Sequence, residues 1–287
     1  MLDQNDLLIT GATLGSPRFE VILEAASAGG FAGVSLRLDT YTDARNRGLS
    51  DQTMRSMLSD NNLVVNDLDA IMISMQGGNG SPWTSKSNEA EILRAAEALE
   101  VKWSNTVYMG SSEATSDADF EYFAETFSSV ARTMLDSGVR PYIEFVPSMS
   151  PIKNLQSALK ILEIAAIPET GVLLDTWHCH VGSTSEADLK ALAGDKILGV
   201  QLNDIPDKPR EELIKVGMHE RLAPGQGGLD LVDFIEMLDK KSSKAPLALE
   251  VFSDQLLQRY SPVDLACYLG DTLRAIVAEA RSHSACI

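Results

Sequence analysis

Positive charge is scarce in this chain: 24 lysines and arginines stand against 41 aspartates and glutamates, a formal net charge of -17. Such a balance repels phosphate backbones and anionic headgroups, so neither nucleic acid nor a membrane surface is expected as a partner. Cysteine is nearly absent. Cys179, Cys267 and Cys286 are odd in number and lack metal-type spacing, which excludes a disulfide framework and makes a reducing cytoplasm the expected compartment. No apolar run approaches the ~18 residues of a membrane span. The opening Met1-Leu2-Asp3-Gln4-Asn5-Asp6 carries acids where a signal peptide has bases. Also missing are long Pro, Gly or Ser tracts that could link domains, and basic clusters that could hold a phosphate, which favours an uncharged or singly charged ligand.

What the chain does have is rhythm. Leu7–Thr10 reads as a strand, Gly11–Ser16 as a turn, and the helical spacing of Phe19, Val21, Ile22, Ala25 and Ala26 as a helix begun at Pro17 and ended by Gly29-Gly30. The pattern repeats. Strands are expected at 34–38, 63–75, 107–109, 141–145, 171–175, 197–202 and 246–252, with helices at 51–61, 89–99, 117–137, 154–166, 186–192, 231–238 and 262–280. Strict alternation implies a parallel sheet, and eight units of about 30 to 40 residues fit a closed (β/α)8 TIM barrel better than an open sheet. The whole chain, 1–287, is expected to be one domain. Three connections are long, 76–87, 110–116 and 203–228, and all follow strands, on the face where barrels build active sites.

Four of the expected strands carry one oxygen-bearing side chain near the end: Glu144 in Tyr142-Ile143-Glu144-Phe145, Asp175 in Val172-Leu173-Leu174-Asp175, Gln201 in Val200-Gln201-Leu202, and Glu250 in Leu249-Glu250-Val251-Phe252. A buried carboxylate is costly unless neutralised. A single acid at a strand end is most simply a helix cap or an ion-pair partner, but four in phase on adjacent strands point to a shared cation. All-oxygen donors suit one hard divalent ion, Mn2+ or Mg2+, whereas zinc would ask for more histidine than the four present.

The run Leu173-Leu174-Asp175-Thr176-Trp177-His178, then Val200-Gln201-Leu202-Asn203-Asp204, then Glu220-Arg221-Leu222-Ala223-Pro224-Gly225-Gln226-Gly227, then Leu249-Glu250-Val251-Phe252 resembles the xylose-isomerase-like TIM barrels. It is most similar to the sugar phosphate isomerase/epimerase branch, and also resembles the 3-dehydroshikimate dehydratase branch. The motifs span about 140–255; the first half shares only the strand-helix rhythm.

The resemblance implies a metal held by Glu144, Asp175, Gln201 and Glu250, with Glu144 and Glu250 also serving as catalytic base and acid. It implies a small polyol, ketose or keto-cyclitol substrate and enediolate chemistry, giving isomerisation or epimerisation when the proton returns to the neighbouring carbon. Loss of a β-hydroxyl gives dehydration instead. Many isomerases of the family have histidine as third ligand. Gln201 therefore departs from them and agrees with the dehydratases. His178, Arg221 and Trp177 correspond to substrate-binding positions, and Asp204 either supports a ligand or Arg221 from behind or is an ordinary turn residue. A metabolite binder without chemistry is the alternative of another class, which two acids flanking the ion argue against. An apurinic-site nuclease is opposed by the scarce histidine and the charge. Homodimers or homotetramers are common for such barrels. His180, Trp83, Trp103, Met72 and Met75 read as structural, Arg37 as a partner of Asp39 or Asp67, and the glycines at 225, 227 and 228 as a turn into the next helix.

Overall fold

The computed structural model describes residues 2–74, 86–110 and 113–284. Among them, eight strands lie in chain order around a closed parallel barrel: β1 (Leu7–Thr10), β2 (Gly33–Leu36), β3 (Val64–Ser74), β4 (Trp103–Met109), β5 (Arg140–Glu144), β6 (Gly171–Asp175), β7 (Ile197–Leu202) and β8 (Leu247–Leu249). β8 closes the ring by pairing with β1, Ile9 opposite Leu249. Met75, Trp83 and most of the expected long connection after β3 lie outside the described residues, as does part of the connection after β4.

The strands are buried on both faces, as parallel strands under a helical coat must be, which is why they read as apolar runs rather than alternations. Glycine relieves crowding between neighbouring strands. A side chain at Gly171 would collide with the Lys196 carbonyl oxygen, and a Cβ at Gly199 would lie 3.1 Å from Leu173 Cδ1. The outer helices take their starts from side-chain caps: Ser50 before Asp51–Asp60, a reciprocal Ser116 and Asp119 capping box before Asp117–Asp136, and Asn154 before Leu155–Ala165. Pro262–Ser284 packs against Phe19–Ala28 and so ties the last unit to the first.

Several boundaries differ from expectation. β4 begins at Trp103, earlier than expected, because Ser104, Asn105 and Thr106 are polar residues buried inside the barrel, where the apolar signal fails. β8 ends at Leu249, so Glu250 lies one residue past the ladder. Short helices that the sequence did not announce occupy Leu38–Asn46, Thr176–Val181, Arg210–Val216 and Asp254–Arg259. No helix among the described residues is long and apolar enough to cross a membrane.

Candidate active site

Glu144 ends β5, Asp175 ends β6, Gln201 faces Asp175 across the β6 and β7 ladder, and Glu250 follows β8. All four are buried, and Glu144 and Glu250 line a pocket of about 290 Å3 at this end of the barrel. Arg37, Asp69, His178 and Arg221 share that wall.

Asp175 is held on every side. Its Oδ1 accepts from the backbone N–H of Trp177 at 2.6 Å and of His178 at 3.2 Å, capping the helix Thr176–Val181, and from Asn203 Nδ2 at 3.1 Å. Its Oδ2 accepts from Arg221 Nη1 at 2.8 Å. Burial works to raise this carboxyl, but Arg221, His178 and the hydrogen bonds outweigh it, so its pKa lies below the ordinary value. The cap carries His178 into the pocket, its Nε2 3.5 Å from Glu144 Oε1. Burial, with Arg221 nearby, lowers His178 to about 4 against the pull of Asp175, which makes it a neutral imidazole at pH 7.

Arg221 is buried and reaches two carboxylates. Nη1 donates to Asp175 and, at 3.2 Å, to Glu250 Oε2, while Nε donates to the Gly217 carbonyl oxygen at 2.8 Å. Its guanidinium lies over the Phe252 ring at 4.5 Å and the Trp177 ring at 5.6 Å, which fixes the fork by stacking as well as by charge. Trp177 thus meets Arg221 as well as the pocket. Asp204 is a loop organiser: its carboxylate accepts from the backbone N–H of Ile205, Gly225, Gly227 and Leu229, so the turn reading is the one the geometry supports. Arg37 pairs with Asp39, as expected.

Two residues escaped the sequence reading. Asp69, on β3, accepts from Asn105 Nδ2 at 2.6 Å and from Gln201 Nε2 at 3.4 Å, and Asn105, on β4, also donates to Glu144 Oε2 at 2.5 Å. The available signal was a run of polar residues, Asn66-Asp67-Leu68-Asp69 and Ser104-Asn105-Thr106, inside two strands that must be buried. Asp69 adds a fourth carboxyl to the cluster. Burial first, and then the charges of Asp69 and its neighbours, push Glu144 and Glu250 well above the usual carboxylate range, with Arg221 opposing.

The donor set fits a divalent cation. Ligand atoms of Glu144, Asp175 and His178 lie within 4.8 Å of one another, and Gln201 Oε1 is buried without a hydrogen-bond partner although the amide nitrogen is engaged. A buried carbonyl oxygen left unpaired costs roughly 1–3 kcal/mol, which a cation would offset.

The closed barrel and the buried acid cluster at the C-terminal ends of its strands define an enzyme-type TIM barrel with a candidate metal site. Residues 23–276 match the family described as Xylose isomerase-like TIM barrel, and the chain belongs to that family. Among curated proteins it is similar to a 3-dehydroshikimate dehydratase of Pseudomonas putida, 29% identical over 103 residues, which is 36% of this chain and 16% of that protein. It is also similar to an inosose isomerase of Halalkalibacterium halodurans, 25% identical over 122 residues, 42% of each chain. The chain thus aligns with less than half the length of either relative. A solved structure of the IOLI protein with a binding zinc atom shares the fold, with a TM-score of 0.83 at 17% identity, covering 96% of this chain and 99% of that one.

Proposed function

We propose that this protein is a divalent-metal-dependent isomerase or epimerase of a small polyhydroxylated ketone, with Glu144 and Glu250 as the proton-transferring pair. The observation that supports it best is the pair of buried glutamates lining one pocket beside the Arg221 and Asp175 pair, each with one oxygen fixed by an amide donor, Asn105 or Gln201. Glu144, Asp175, Gln201 and Glu250 would hold Mn2+ or Mg2+, with His178 adjoining them, and the bound ion would supply polarisation of a ketone oxygen and charge neutralisation.

Glu144 takes or returns a proton at the carbon beside the ketone through its Oε1, the oxygen near His178, since Oε2 is held by Asn105. Glu250 serves the opposite step, with Oε2 held by Arg221 and Oε1 by Gln201. Neutral His178 can both donate to and accept from a substrate hydroxyl. Arg221, stacked and twice anchored, sets the orientation of Asp175 and Glu250 and borders the pocket.

A dehydratase is the second reading. It is favoured by Gln201, the ligand type that resembles the dehydratase branch, and by the match to a 3-dehydroshikimate dehydratase. Incubating the Mn2+-loaded protein in deuterated water with inosose and, separately, 3-dehydroshikimate distinguishes them. Deuterium in a recovered isomer is the expected result, an ultraviolet-absorbing product from the second compound would support dehydration, and silence with both, in protein shown to hold Mn2+, would count against each. Glu144→Gln and Glu250→Gln should each lower turnover at least about 100-fold, the lower end of what positioned acid-base groups contribute.

A further inference from the structure

A continuous line of hydrogen bonds joins the two glutamates. Glu144 Oε2 accepts from Asn105 Nδ2 at 2.5 Å, and the same nitrogen donates to Asp69 Oδ1 at 2.6 Å. Asp69 Oδ2 accepts from Gln201 Nε2 at 3.4 Å, and that nitrogen donates to Glu250 Oε1 at 3.2 Å. Asp69 is the midpoint, with one oxygen for each amide. An ionised carboxylate only accepts, whereas a primary amide donates at one end and accepts at the other. The nitrogen end of Gln201 therefore faces two carboxyl groups. Reversing the amide would set its oxygen against both of them. Gln201 Oε1 is thereby the end left over, buried and without a hydrogen-bond partner.

We infer that Asp69 is a positioning residue for the metal site: through Nε2 of Gln201 it fixes the amide so that Oε1 is available to a divalent cation, with Asn105 anchoring Asp69 from the other side. The inference rests on the metal-dependent reading above, and it gives Gln201 a reason to work as a ligand where many relatives are expected to use histidine. An amide is a two-ended group that can turn; an acceptor behind its nitrogen removes that freedom. A histidine ligand would be oriented in the same way by an acceptor behind its second nitrogen.

The test is a double-mutant cycle read by Mn2+ binding alone, following free Mn2+ by electron paramagnetic resonance at fixed pH and ionic strength. The proteins are wild type, Asp69→Ala, Gln201→Ala and the double variant, each checked for an unchanged thermal transition. Asp69→Leu, which likewise has no acceptor, replaces Asp69→Ala if the latter does not fold. The expected result is a loss of about 10- to 100-fold in Mn2+ affinity for Asp69→Ala on the wild-type background. On the Gln201→Ala background the same substitution should cost less than about twofold, within the accuracy to which independent effects add. A larger loss there means that Asp69 acts by its charge rather than through the amide, and overturns the inference. So does an Asp69→Ala protein that binds Mn2+ as well as wild type. A wild-type protein that binds no Mn2+ overturns the metal reading and this inference together, whereas tight wild-type binding with fully additive losses overturns the inference alone.

Discussion

Arg221 shows how a buried charge is kept in this barrel. It has acidic partners in Asp175 and Glu250, a carbonyl acceptor in Gly217 and two aromatic faces, so both its charge and its hydrophobic edges are accounted for. Replacing it by methionine keeps the bulk and removes the charge, leaving two buried carboxylates without their cation. The metal-free Arg221→Met protein should lose about 3–5 kcal/mol of stability in urea unfolding. A second buried acid behaves differently. Asp67, on β3, accepts from Ser35 and from Asn66, yet burial and the neighbouring Asp69 raise it to about 7, above the ordinary aspartate range. Between the ordinary aspartate value and about 7 the folded chain holds a proton here that the unfolded chain has released, so the Asp67 contribution to stability falls as pH rises from about 4 to about 7 and then levels. Asp67→Asn removes that slope. It should gain on the order of a few kcal/mol relative to wild type at pH 8 compared with pH 4, in denaturant titrations at both pH values.

At the scale of elements, the segment between β7 and β8 brings Ile214, Lys215, Gly217, Met218 and Arg221 to the pocket wall. Asp204 draws the backbone of Ile205, Gly225, Gly227 and Leu229 around its carboxylate, and the bridges between Asp204 and Leu222 and between Glu220 and Ser253 lay Arg221 into the site. Gly217 is small because Trp177 leaves no room: a Cβ there would stand 2.8 Å from Trp177 Nε1. Gly217→Ala should therefore cost about 1–3 kcal/mol by overpacking, measured by thermal unfolding, and should weaken Mn2+ retention through the displaced Arg221 and Asp175 contacts. The strands and their capped helices were legible because Tyr142-Ile143-Glu144 and Leu173-Leu174-Asp175 combine apolar runs with a polar end. The four strand-end oxygen donors, Glu144, Asp175, Gln201 and Glu250, stood out for the same reason. Asp69 and Asn105 were not, since they sit inside strands rather than at their ends and acquire their role only when the closing barrel brings β3, β4 and β7 together. The helix Thr176–Val181 was hidden because its cap, Asp175, is also the polar end of the apolar strand before it.

For the molecule as a whole, a net charge of -17 opposes the compact state by self-repulsion, which a bound cation would partly offset. Any ion that binds only the folded barrel stabilises it by mass action. At a free concentration 100 times its dissociation constant the gain is about 2.7 kcal/mol. For a chain of this size, that is a rise of roughly 5–10 °C in the unfolding temperature, reversed by a chelator. The most direct measurement is the Mn2+ content of the chain after equilibration and removal of loose ions, wild type against Asp175→Asn. One tightly held ion per chain, lost in the variant, is the result expected of the cage at Glu144, Asp175, Gln201 and Glu250. No stoichiometric ion in the wild type, or equal retention in Asp175→Asn, would contradict it.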